Sequence, residues 1–175
     1  IGRDEYNLCS YVVNCSFINN GAIGRNLNNS HGGAGCVRAG IIYQNCKFIN
    51  NSAGQGGALT YHASGSIEDC VFINNSAKLY GGALSTGYID GDMELIVVNC
   101  NFEQNNAPYG GAVQLKGKNI EIHKSIFNKN IAAINGGAIN IIAKTVTVDD
   151  VEFNKNIANV NGGAIYIKLF RMLKN

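Results

Sequence analysis

Two short motifs recur in step along this chain, and their spacing leaves few folds open. F-x-x-N appears as Phe17…Asn20, Phe48…Asn51, Phe72…Asn75, Phe102…Asn105, Phe127…Asn130 and Phe153…Asn156. Each is followed by a GGA triplet, beginning at Gly32, Gly56, Gly81, Gly110, Gly136 and Gly162, so successive triplets lie 24, 25, 29, 26 and 26 residues apart. A fixed period of this length is the mark of a solenoid, in which each repeat is one structural turn and neighbouring turns bury each other's apolar face.

Within a repeat the hydrophobic period is two. Positions seven and five before each Phe read Ser10/Val12, Ile41/Tyr43, Gly65/Ile67, Leu95/Val97, Ile120/Ile122 and Val146/Val148. The alternation restarts two residues before the Phe, at Cys15, Cys46, Cys70, Cys100, Ser125 and Val151. It resumes after the glycines as Leu59/Tyr61, Leu84/Thr86, Val113/Leu115, Ile139/Ile141 and Ile165/Ile167. Period two means strands with one buried face, and three such runs predict three strands per repeat. Between them, the position three before each Phe holds Asn14, Asn45, Asp69, Asn99, Lys124 and Asp150, mostly residues that tolerate tight bends. Asn follows three after each Phe, where a left-handed residue suits it and stacked amides can form a ladder along the axis. The scaffold ladder is therefore the six phenylalanines with Asn20, Asn51, Asn75, Asn105, Asn130 and Asn156. The predicted fold is all-β: a right-handed, single-stranded parallel β-helix, a three-sided solenoid of about six coils. Helical solenoids are excluded by the lack of a 3.6-residue period and by Gly and Asn throughout.

The length suits one domain, residues 1–175, and a start at Ile1 with strand-like residues soon after reads as a piece of a longer repeat array. A net charge of +2 argues against a nucleic-acid partner held through phosphates. The C-terminal part, residues 116–175, is mildly basic, with nine Lys/Arg against four Asp/Glu. No stretch reaches the roughly 18 apolar residues of a membrane span. Four of the six cysteines occupy one inward column, a pattern of small core residues. No C-x-x-C spacing suggests zinc, and stacked neighbours such as Cys46 and Cys70 are near enough in principle to bridge.

Two segments break the period. About six extra residues fall within Gly21–His31 and about five within Ser85–Glu94. Insertions in repeat proteins map to loops, often on a binding face. In the second, Asp90, Asp92 and Glu94 are weak metal candidates, since D-x-D-x-E imitates the opening of a calcium loop without its remaining ligands. Asp149-Asp150 is an adjacent acidic pair, but it falls at a predicted bend, with its nearest acidic counterpart Glu68-Asp69 three coils away. His62 and His123 have no evident partner in the sequence. The outward column after the GGA alanine reads Cys36, Thr60, Ser85, Gln114, Asn140 and Tyr166, too mixed for the threonine rows of an ice-binding face. These features predict no catalytic site and no cofactor.

GGA followed by Leu59, Leu84, Val113, Ile139 or Ile165, alternating with F-x-x-N from about Val12 to Ile167, resembles the tandem motifs of the chlamydial polymorphic outer-membrane proteins and of adhesin-like surface proteins of gut methanogens. The first triplet departs, with Gly35 in the aliphatic place. The resemblance implies a secreted or cell-surface location and adhesion to a host or neighbouring-cell protein or glycan. A polysaccharide lyase- or hydrolase-like β-helix and a structural rod self-associating end to end are the alternatives.

Overall fold

The computed structural model describes residues 10–24, 26–87 and 93–169. The chain winds as a parallel β-solenoid whose coils contribute strands to three sheets. Apart from a short 3-10 turn at Leu27–Asn29, the described residues contain no helix.

The front sheet carries the phenylalanines. Its six strands, Ser16–Ile18, Lys47–Ile49, Val71–Ile73, Asn101–Glu103, Ile126–Asn128 and Glu152–Asn154, are all parallel. Their register sets Phe17 beside Phe48, then Phe72, Phe102, Phe127 and Phe153. From Phe17 to Phe153 the chain completes five turns, rising about 24 Å at about 4.8 Å per coil. The rings form one interior file. Centroids of Phe48, Phe72, Phe102 and Phe127 are 4.7 Å apart with planes within 6°. Each stacked pair adds about 0.5–1.5 kcal/mol beyond the area it buries.

The side sheet, which the period-two pattern did not indicate, is built from Ser52–Gln55, Ser76–Tyr80, Asn106–Tyr109, Ile131–Asn135 and Ile157–Ala158. Its inward residue is the single alanine five after each Phe, buried at Ala53, Ala77, Ala107 and Ala132. The strands are short and their register is irregular before the glycines, so alternation of large apolar residues never develops.

The two other expected strands share one wide sheet. The run after GGA and the run before the next Phe are joined without interruption in Val113–His123 and Ile139–Asp149. Elsewhere a short connection or the second insertion separates them, as between Leu59–Tyr61 and Gly65–Glu68.

Three corners turn each coil, and each uses one left-handed residue. The position three before Phe has φ between 49 and 57°. The second corner lies two residues after Phe, at Asn19, Asn50, Asn74, Gln104, Lys129 and Lys155. This corrects the placement of the bend at the ladder asparagine, which is one residue further on and spends its side chain inward. The third corner is the first glycine of GGA, with φ from 56 to 64°. A Cβ there would lie 1.9–2.1 Å from the carbonyl oxygen three residues on, so only glycine closes the turn.

The asparagine amides bond in series. Asn105 Oδ1 accepts from the backbone N–H of Asn75 at 2.9 Å and from its Nδ2 at 3.0 Å. Asn105 Nδ2 in turn donates to Asn130 Oδ1 and to the Phe72 carbonyl, both at 3.0 Å. The same set repeats from Asn20 to Asn156. Every amide hydrogen of an internal rung has a partner, which is what makes full burial of Asn51, Asn105 and Asn130 tolerable.

Candidate functional site

The tightness of the glycine corner creates a notch on the outside of the wide sheet. The residue four past the first glycine points outward, since its neighbours Leu59, Val113 and Leu115 are in the core. It nevertheless folds back over the corner. Thr60 Oγ1 donates to the Gln55 carbonyl at 2.9 Å, and it occupies space that a Cβ on Gly56 would enter. The column Cys36, Thr60, Ser85, Gln114, Asn140, Tyr166 is held in register by the wide sheet. Thr60 and Ser85 are 0 % exposed, Asn140 3 % and Gln114 8 %. The middle four members of the mixed outward column thus form the floor of the notch, with exposed Cys36 and part-buried Tyr166 at its two ends.

One wall of the notch is the row just before the glycines: His31, Gln55, Tyr80, Tyr109, Asn135 and Asn161, paired in succession. Tyr80 and Tyr109 lie ring to ring, centroids 5.6 Å apart and tilted by 39°. On the other side, two residues past the floor, stand Arg38, His62, Gly87, Lys116, Ile142 and Lys168.

Floor polarity is unevenly satisfied. Thr60 and Ser85 hydroxyls bond each other at 3.2 Å. Gln114 Oε1 and Asn140 Oδ1 are buried without a partner, as are His31 Nδ1 and His62 Nε2. Among the described residues these four are the buried side-chain polar atoms left unpaired, and all four line this one notch.

Both departures from the repeat converge at its upper end. The first insertion begins where Gly21 pairs with Ser52 and ends at His31. Asn26 caps its 3-10 turn by accepting from the Asn28 N–H at 3.0 Å, and Ser30 ties it to the side sheet by accepting from the Gly54 N–H at 3.0 Å. Below the loop lies a pocket of about 260 Å³ lined by Ala22, Ile23, Leu27, Ala53 and Lys78. His31 packs edge to face on His62, centroids 4.9 Å apart. The His62 ring lies against Gly87, where a Cβ would come within 1.9 Å of Cε1, at the root of the second insertion. His62 therefore has a partner that linear sequence could not reveal, since 31 residues separate the two. Burial, followed by the charge of Arg38, holds His31 below the usual imidazole value. Burial also lowers His62, with His31 and Arg38 adding to it.

The remaining candidates are dispersed. His123 is not alone: Nε2 is 3.2 Å from Glu121 Oε2 and Nδ1 3.7 Å from Asp149 Oδ2. Asp150 is a corner residue with φ 53°, and Asp69 accepts from Asn99 Nδ2 at 2.6 Å, so these carboxylates serve bends. Asp90 and Asp92 lie outside the described residues. Glu94 accepts from Asn119 Nδ2 at 2.8 Å and lies 3.9 Å from Lys118 Nζ. Among the described residues no three His, Cys, Asp or Glu side chains gather as a metal site. Cys15, Cys36, Cys46, Cys70 and Cys100 are free thiols, so the Cys46–Cys70 bridge is not made. Instead Cys46 and Cys100 point their thiols at strand carbonyls. Burial raises both above the usual thiol value, which leaves them poor nucleophiles. Among the described residues no helix is long and apolar enough to cross a membrane.

Residues 69–87 and 150–168 match the family model of the Chlamydia polymorphic membrane protein repeat. Each window runs from the left-handed residue before a phenylalanine, through the ladder asparagine and GGA, to the far side of the notch. The chain thus carries repeats of the polymorphic membrane protein type. No curated protein and no solved structure matches it.

Proposed function

We propose that this chain is a non-enzymatic, adhesin-like β-helix, displayed at the cell surface or secreted, which presents Gly21–His31 and Ser85–Glu94 to a host or neighbouring-cell surface. The observation that carries the reading is the meeting of both insertions at His31, His62 and Gly87. A ladder of like coils is scaffold, and two unrelated interruptions that meet at one corner of it are what such a scaffold would hold up for recognition. The match to a polymorphic membrane protein repeat fits a surface-associated β-helix. The carboxylates support this reading over catalysis, because Asp149 is an exposed side chain at a strand end beside His123 and Asp150 is a corner residue. Among the described residues neither joins a group of three His, Cys, Asp or Glu side chains that could hold a metal.

Beads coated with the protein are applied to a panel of cultured epithelial and microbial cells and counted by flow cytometry. A variant in which both insertions are cut to the length of the regular connections should lose at least tenfold in bound beads while keeping its β-sheet circular dichroism. Equal binding by the two proteins, or none to any cell type, would refute the proposal.

A further inference from the structure

The unpaired atoms of the notch point to a ligand class. A buried polar group without a partner is unfavourable, and most find one. Here Gln114 and Asn140 stand on adjacent coils with their carboxamide oxygens unpaired. The side chains of the floor and its two ends are uncharged throughout: thiol, hydroxyls, carboxamides and a phenol. Tyr80, the exposed member of the tyrosine pair, offers a ring at the rim. Adjacent rungs repeat every ~4.8 Å, on the order of one sugar ring.

We infer that this notch binds an extended, uncharged glycan along the coil axis, its hydroxyls supplying the partners that Gln114 and Asn140 lack and one ring face resting on Tyr80. The inference rests on the adhesin reading for its biological setting and adds to the two insertions a second recognition surface, the notch at whose upper end they meet. A carboxamide reaches the ligand by rotation about its terminal torsion, which is soft and presents either acceptor or donors. A peptide strand fits less well. It would need a free sheet edge for its main chain, whereas the floor residues are already paired in register with the coils above and below. The floor itself carries no charge, while Arg38, Lys116 and Lys168 stand along one wall, so a polyanion is the competing ligand that the test includes.

The test applies the whole chain to immobilised cellohexaose, chitohexaose, maltohexaose, mannohexaose and dextran sulfate. Gln114→Met, Asn140→Leu and Tyr80→Ala are compared with the unaltered protein, and thermal melts are recorded for each. At least one neutral chain should bind, with affinity falling tenfold or more in each variant. Gln114→Met and Asn140→Leu should also melt about 2–4 °C higher, because each removes an unpaired buried group. Three outcomes overturn the inference: no neutral chain binds; dextran sulfate alone binds and salt displaces it; or the two amide variants melt lower, which makes the amides structural. The two proposals fail separately. Cell binding without glycan binding leaves only the adhesin reading, and glycan binding lost in the amide variants without any cell binding leaves only the notch.

Discussion

Replacing Asn105 by Leu should cost about 4 kcal/mol, and the value follows from the ladder. The side chain is 0 % exposed and takes part in four hydrogen bonds. Leucine deletes all four. Asn130 Oδ1 keeps the Asn105 backbone N–H, at 3.0 Å, but Asn75 is left with a backbone donor and an amide donor facing a methyl group. Two unsatisfied buried donors cost about 2–6 kcal/mol together. The apolar gain from burying leucine, about 1.5–3 kcal/mol, is offset by the misfit of a branched side chain in a slot shaped for a planar amide, about 1–3 kcal/mol. At about 2–4 °C per kcal/mol for a chain of this size, the melting temperature should fall by about 8–16 °C. Asn101→Leu is the control. That residue is half-exposed on the outer side of the front sheet, between buried Cys100 and Phe102, and the change should stay within about 0.5 kcal/mol. Thermal melts followed by circular dichroism read both variants. Equal shifts would refute the argument, because they would mean that the amide series contributes nothing beyond surface polarity.

Three further outcomes are expected. Gly111→Ala should unfold or severely destabilise the protein, since its Cβ would lie 2.0 Å from the Gly137 carbonyl oxygen, whereas Gly163→Ala, with nothing nearer than 3.8 Å, should melt within a few degrees of the parent; comparable losses in both would contradict the packing of the second glycines. Stability should fall on acidification from about pH 7 to about pH 5. Above the unfolded imidazole value of about 6.5 neither state is protonated, and below it the unfolded chain takes up protons that His31 and His62 resist in the fold. His62→Gln should flatten that slope in urea titrations run at each pH, and an unchanged slope would assign it to other groups. With a thiol reagent under native conditions, exposed Cys36 should react within minutes, while Cys46, Cys70 and Cys100 should wait for unfolding; mass spectrometry of the labelled peptides decides, and early labelling of Cys70 would count against a closed core.

What could be read from the chain alone is what repeats. Phe, Asn and GGA recur because each coil poses the same problem to the same position, so period and residue type together dictate a parallel stack of like over like. The second left-handed corner was harder to see, because Asn19, Gln104 and Lys155 share only a backbone angle. The side sheet was hidden for a related reason: its inward residue is alanine, too small to announce a buried strand. The notch belongs wholly to tertiary structure. Thr60, Gln114 and Asn140 read as an ordinary outward column, yet all three are buried in the fold, Thr60 against its own glycine corner. The His31–His62 contact has the same origin, since its members come from different coils and are joined by winding rather than by spacing. Periodicity determines a fold when every turn satisfies it alike. Where side chains from unlike positions meet across a concave corner, distance in space is set by the curvature of the backbone, and that curvature is not written in any single repeat.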